Sequence, residues 1–197
     1  VIVGAILTQN TSWTNVELAI RNLRREGLLT TEAIARADQD ELARLIRSSG
    51  YFRQKARKLK EFVSFLRRNY DGSLTRMFRT PTKTLREQLL AVHGIGPETA
   101  DSILLYAGEH RVFVVDAYTR RMLERHGLVH ARAGYEEIRA IFETSLAAAD
   151  SSLFNEYHAL IVHTGKHFCR TREPLCSECP LGGFLPRPGV ASSAGVP

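Results

Sequence analysis

Asp116 follows the apolar run Val112–Val115 and opens a helical pattern. A carboxylate placed there can stabilise an oxocarbenium-like cation or polarise an attacking water, and it can equally serve as a plain helix cap. Upstream, His93-Gly94-Ile95-Gly96 joins two helical patterns, the second opening at Pro97. Glycines in such a turn adopt conformations closed to other residues and let the main chain approach a ligand, while the free N–H groups of the following helix form an anion site. A phosphate suits that site. An ordinary helix–helix connection is the alternative, and the turn alone does not decide between them. Cys169, Cys176 and Cys179 are all the cysteines of the chain. Their clustering argues for a metal more than for disulfides, with a loop of free thiols as the alternative.

Helices must carry these groups, because apolar residues recur at three- and four-residue steps and few runs alternate. Val16, Ile20 and Leu23 form one stripe, capped by Thr11 or Ser12 and closed by Gly27. Short helices are predicted over 31–37 and 38–47. A long basic helix over 51–70 has Ala56, Leu59, Val63 and Leu66 inward and Arg53, Lys55, Arg57, Lys58 and Lys60 largely outward, and Asp71-Gly72 ends it. Beyond the Pro81 breaker a helix over 84–92 leads into the glycine turn, and the helix opening at Pro97 runs to about Ala107. Val112–Val115 has strand propensity but no partner, so it reads as a buried connector. Helices over 135–148 and 153–167 follow, and the stretch from Gly182 to Pro197 reads as a flexible tail.

The chain has 197 residues, 44% hydrophobic and 24% charged, the balance of an ordinary globular protein rather than a disordered one. Its formal charge of +6 suits a polyanionic partner, although a merely basic surface carries the same number. No apolar stretch reaches the length of a membrane span, and Val1 to Leu7 is too short and lacks the basic flank of a signal peptide. A cytoplasmic, nucleoid-associated protein is expected. The opening inside an apolar run without Met leads us to expect residues upstream, with part of the first lobe's packing.

The segment from Leu90 through His93-Gly94-Ile95-Gly96-Pro97-Glu98-Thr99-Ala100, followed by Val114-Val115-Asp116-Ala117-Tyr118-Thr119-Arg120-Arg121, resembles the helix-hairpin-helix (HhH-GPD) superfamily of DNA glycosylases, relatives of endonuclease III. In that superfamily the hairpin is followed by Gly/Pro-rich sequence and an essential aspartate. Gly4-Ala-Ile-Leu-Thr-Gln-Asn-Thr11 resembles its first helix and the turn whose Gln enters the DNA stack. Ser49-Gly50-Tyr51-Phe52-Arg53-Gln54-Lys55-Ala56 resembles its Gly-aromatic-x-x-Lys-Ala segment, and Cys169-x6-Cys176-x2-Cys179-Pro180 its iron-sulfur loop. Within the superfamily, Gly-Ile-Gly-x-Glu-[Ser/Thr]-Ala-Asp with Leu-Thr-Gln-Asn-Thr upstream is most similar to the 3-methyladenine DNA glycosylase III group.

The resemblance implies Asp116 as the catalytic carboxylate. It implies a DNA contact at His93, Gly94, Ile95, Gly96 and Thr99, with Gln9 and Asn10 as the wedge that fills the place of a flipped base. Asn10 can also cap the next helix. Thr119 is a candidate local cap, and Arg120 and Arg121 either touch phosphate or face solvent. Bifunctional members carry a Lys where this chain has Glu98, because an amine can attack the sugar C1′ and form a Schiff base. A carboxylate cannot, so a monofunctional enzyme is implied. Glu98 then lines the base pocket or serves as a first-turn acid. Lys166 falls where the 3-methyladenine group has a lysine near its pocket, and set beside Asp116 it would be an alternative nucleophile. Trp13, Tyr51 and Phe52 are candidates for stacking on bases, Trp13 in the base pocket, with core packing as the alternative. The fourth cysteine of the family's loop is replaced by Leu185. The loop is therefore an incomplete or degenerate [4Fe–4S] site, or a zinc site completed by His163 or His167, or a vestige. No cofactor is required for the chemistry itself.

The expected fold is all-α, two helical lobes with the active site in the cleft between them: residues 1–110 with the hairpin, and 111–197 with Asp116, the cysteine loop and the tail. The expected function is hydrolytic removal of a damaged base, alkylated purine first, by a monomer acting on double-stranded DNA. A bifunctional glycosylase and abasic-site lyase, or a non-catalytic hairpin module that binds DNA, are the alternatives.

Overall fold

The computed structural model describes residues 1–186 and is helical throughout, with no strand among those residues. No helix is long and apolar enough to cross a membrane among them. The chain divides into two compact units, Val1–Arg111 and one that begins at Val112.

The first unit holds α1 (Ile2–Leu7), α2 (Trp13–Arg25), α3 (Thr31–Arg36), α4 (Gln39–Leu45), α5 (Phe52–Tyr70), α6 (Leu74–Phe78), α7 (Thr82–Leu90) and α8 (Pro97–Gly108), with a single 3₁₀ turn at Arg47–Ser49. Local chemistry sets the boundaries. Thr30, Asp38 and Ser73 accept backbone N–H bonds at the starts of α3, α4 and α6, each satisfying a donor the helix leaves unpaired. Asp71 and Gly72 end α5 in left-handed backbone. The α5 stripe Ala56, Leu59, Phe62, Val63 and Leu66 is buried and packs on α4, α3, α1 and α6. Lys55, expected outward, is instead 2% exposed. Its Nζ donates to the carbonyls of Leu7 (2.9 Å) and Ser49 (2.5 Å), so the ammonium ties α1 to the turn before α5. Burial, and after it the neighbouring charge of Lys58, lower its pKa from 10.5 to about 8.

The two hairpin helices are locked by a buried ion pair. Asp101 on α8 is fully buried and takes Arg86 of α7 in a two-point contact, Nε to Oδ1 at 2.7 Å and Nη2 to Oδ2 at 3.1 Å. Such fork geometry fixes orientation as well as distance.

The second unit starts with the connector Val112–Val115, buried at every residue. It has no ladder partner and borrows side-chain acceptors instead: the Phe113 N–H donates to Glu143 Oε1 (3.0 Å) and the Val115 N–H to the Tyr135 hydroxyl (3.3 Å). Phe113 stacks on Phe142 with centroids 3.9 Å apart. Helices α9 (Ala117–Arg125), α10 (Tyr135–Ser145) and α11 (Ser151–His167) follow, with a 3₁₀ turn at Gly182–Phe184. At Gly165, α11 lies against Tyr118 of α9 so closely that a Cβ there would come within 2.5 Å of the Tyr118 ring. The expected flexible tail is therefore structured at its start, and the rest of that expectation lies outside the described residues.

Candidate active site and DNA-contact residues

Asp116 is the N-cap of α9. Its Oδ1 accepts from the Thr119 N–H at 2.8 Å and from the Thr119 hydroxyl at 2.9 Å. Thr119, expected to cap, lies inside the first turn and is the residue being capped, because its own N–H is the donor that Asp116 satisfies. The second oxygen, Oδ2, lies 3.6 Å from Nε2 of His158 on α11, too far for a hydrogen bond but within ion-pair range. The Asp116 side chain is 14% exposed and that of His158 10%. Burial pushes the Asp116 carboxyl upward, and the contacts with His158 and Thr119 outweigh it, so the pKa is lowered from its ordinary 3.8. One oxygen of the carboxylate thus caps a helix, as the sequence allowed, while the other faces His158 in a largely dry place, where a fixed charge acts strongly on its surroundings.

His158 is the residue of this site that sequence reasoning missed. Phe154, His158, Ile161 and Gly165 are the buried positions of α11, one stripe at steps of three and four. A histidine on that stripe was the available signal.

The arginines after Asp116, both half-buried, make hydrogen bonds inside the unit. Arg120 donates to the Ala133 carbonyl. Arg121 donates to the carbonyls of Cys169 (2.8 Å) and Gly165 (3.2 Å) and lies over the Tyr118 ring. Lys166 is exposed in the last turn of α11. It stands eight residues beyond His158 on α11, roughly 12 Å along the helix axis.

In the first unit the hairpin turn closes through the Ile95 N–H on the Val92 carbonyl (3.0 Å). Ile95 and Thr99 are buried while His93 is exposed. Gly94 has φ +84°, and a Cβ there would meet the Lys58 stem at 2.5 Å. Gly96 has φ −93° and ψ 179°, and a Cβ there meets nothing. The conformational demand expected of the turn's glycines therefore falls on Gly94; only approach by a ligand asks for glycine at Gly96.

Gln9 reaches the hairpin. Its Nε2 donates to Thr99 Oγ1 (2.9 Å) and to the Gly94 carbonyl (3.3 Å), and its Oε1 accepts from Lys58 Nζ. Asn10, next in the turn, is exposed in left-handed backbone at φ 53°. It does not cap α2, whose N-cap is Ser12. Glu98 is exposed in the first turn of α8. Trp13 is 49% exposed, lies over Gly4 and donates to Glu17, so it covers the junction of α1 and α2. Tyr51 is exposed, with left-handed backbone at φ 44°.

The cysteine loop is held to α9 by Arg125, whose Nη1 lies 3.2 Å from Cys169 Sγ and donates to the Arg170 carbonyl at 2.7 Å, while Nη2 donates to that of Thr171 at 3.2 Å. Cys169, Cys176, Cys179 and Leu185 line one cavity of about 20 Å³. That is room for roughly one water, and an isobutyl group stands where the family's fourth thiol would be. These residues do not fit a four-iron cluster, which takes four protein ligands. Among the described residues no three His, Cys, Asp or Glu groups converge to hold a metal ion. His163 and His167 face each other with ring centroids 4.4 Å apart and do not complete the loop as a zinc site.

An all-helical chain with a glycine hairpin and a half-buried N-cap aspartate defines a helix-hairpin-helix protein of the kind that cuts bases from DNA. The chain belongs to the HhH-GPD superfamily of base excision DNA repair proteins, whose family model matches residues 3–148, and it is a DNA glycosylase of that family. It is 50% identical over 186 residues to a Methanocaldococcus jannaschii protein described as a candidate DNA repair glycosylase, covering 93% of this chain and 83% of the relative. It is 31% identical over 184 residues to endonuclease III of Sulfolobus acidocaldarius, covering 93% of this chain and 79% of the relative. The crystal structure of the H. pylori 3-methyladenine DNA glycosylase bound to 1,N6-ethenoadenine superposes with a TM-score of 0.75 at 30% identity, over 84% of this chain and 83% of that one.

Proposed function

We propose that this glycosylase is monofunctional, a monomer that hydrolyses the N-glycosidic bond of an alkylated base in double-stranded DNA, with Asp116 as its catalytic carboxylate. The observation that carries this reading is the Asp116 carboxylate itself, half-buried, held ionised, and with one oxygen left over from capping. As the bond to the base breaks, positive charge develops at the sugar C1′ and ring oxygen. A fixed carboxylate stabilises that charge and polarises the water that adds to C1′. A ring-alkylated purine that already carries positive charge departs as a neutral base, so the site needs no general acid. The likeness to a 3-methyladenine glycosylase bound to an alkylated-type base supports this substrate class.

Glu98 in place of the family's lysine supports hydrolysis over Schiff-base chemistry. The hairpin from His93 to Thr99 supplies phosphate contact, the turn of Gln9 and Asn10 enters the stack, and Tyr51 is an exposed aromatic available to stack on a base. The test is base release from duplexes that each carry one lesion, alkylated purines beside deaminated and oxidised bases. The strand should break only after alkali, and only for alkylated purines. Release of deaminated or oxidised bases alone would overturn the substrate assignment.

A further inference from the structure

The Gln9 amide is occupied on three sides, and every contact comes from the first unit. A lysine ammonium only donates and a carbonyl only accepts, so the amide has one orientation: Oε1 toward Lys58 Nζ, and Nε2 toward Thr99 Oγ1 and the Gly94 carbonyl. The turn carrying Gln9 also has the Thr11 N–H on the Thr8 carbonyl at 3.3 Å and the Asn15 amide donating to the Thr11 hydroxyl at 3.3 Å, and Asn10 at its tip is in left-handed backbone. Lys58 meanwhile lays its stem along Gly94, close enough that a Cβ on the glycine would touch Cγ, Cδ and Cε. One side chain on α5 therefore touches both the hairpin and the turn.

We propose that Lys58 is the positioning residue of the DNA wedge: its stem rests on Gly94 and its ammonium holds Gln9 against the hairpin, so that turn and hairpin meet DNA as one preset unit. This rests on the reading of Gln9 as the wedge. A group that must enter a base stack does so at less entropic cost when its direction is fixed beforehand. Partial burial favours the role, because it strengthens the contact while lowering the Lys58 pKa from 10.5.

The experiment uses the full chain and a duplex carrying a tetrahydrofuran abasic analogue opposite 2-aminopurine, whose fluorescence reports what occupies the gap and needs no knowledge of the natural lesion. Lys58→Met keeps the stem and removes the ammonium; Lys58→Arg keeps a donor; Gln9→Ala removes the wedge. Thermal unfolding midpoints confirm that each variant is folded. Gln9→Ala should abolish the fluorescence change, Lys58→Met should lose most of it, the double variant should lose no more than Gln9→Ala, and Lys58→Arg should recover it. Base release by Lys58→Met should fall on the order of tenfold in kcat, the scale of one charge-assisted hydrogen bond, with little change in KM. A wild-type signal in Lys58→Met alongside a lost one in Gln9→Ala overturns the positioning role and leaves the wedge standing. An unchanged signal in Gln9→Ala overturns the wedge and the positioning role together. A larger signal in Lys58→Met would show restraint rather than positioning, and additive losses would make Lys58 an independent phosphate contact; each overturns the proposal.

Discussion

Oδ2 of Asp116 lies 3.6 Å from Nε2 of His158, while Oδ1 holds the first turn of α9 through Thr119. The pair spans two helices and is mostly buried, so the histidine acts on the carboxyl. Burial alone raises the Asp116 pKa, and His158 and Thr119 bring it below 3.8. His158→Ala should therefore move the Asp116 titration upward in a carboxyl-carbon NMR experiment, with Thr119 still bound. By linkage, the ionised carboxylate stabilises the fold at pH above its ordinary value, and that contribution is lost as pH falls through the lowered one. An unmoved titration in His158→Ala would remove the histidine from the account. Asp116→Asn, which keeps shape and loses charge, should abolish base release while DNA affinity is largely kept.

Gly94 and Gly96 should respond differently to the same change. Gly94→Ala puts a Cβ on left-handed backbone and against Lys58, which should destabilise the fold by about 1–3 kcal/mol and weaken binding to all DNA sequences alike. Gly96→Ala should leave the unfolding midpoint nearly unchanged and show its effect only in DNA binding. Equal losses of stability at both positions would contradict the turn described here.

Lys55→Met should leave the Leu7 and Ser49 carbonyls without their buried donor, a loss of about 1–3 kcal/mol by denaturant titration. Because the folded pKa of Lys55 is lowered to about 8 from 10.5, the unfolded chain binds the extra proton between those values. Wild-type stability measured relative to Lys55→Met should accordingly rise as pH climbs through that window. A flat difference would mean the ammonium is as well solvated folded as unfolded.

For the cysteine loop the expectation is a protein without an intact four-iron cluster, since Leu185 closes the fourth position and the cavity measures about 20 Å³. Arg121 and Arg125 anchor the loop to α9 in its place. Iron analysis and visible absorption of anaerobically purified protein test this. About four irons per chain with a broad band near the visible blue would contradict it.

The hairpin, the connector before Asp116 and most helix boundaries were legible because Gly, Pro and capping residues punctuate the chain locally. Lys55 was misread outward because its charge was weighed above its phase; it sits one helical step from Leu59 on the buried stripe of α5. His158 lay on a buried stripe too, but nothing local ties it to a carboxylate 42 residues earlier in the chain. Helix α6 (Leu74–Phe78) is five residues long, too short for periodicity to declare it. The Gln9–Lys58–Gly94 contact is tertiary, between three separated segments, and no spacing rule reaches it.

The measurement that bears most directly on hydrolysis by Asp116 is borohydride trapping during turnover on an alkylated-base duplex. Hydrolysis forms no imine, so wild-type protein should release the base, leave an intact strand that breaks only with alkali, and show no protein covalently joined to DNA. A trapped complex would contradict the account, and its loss in Lys166→Ala would identify that lysine as the nucleophile.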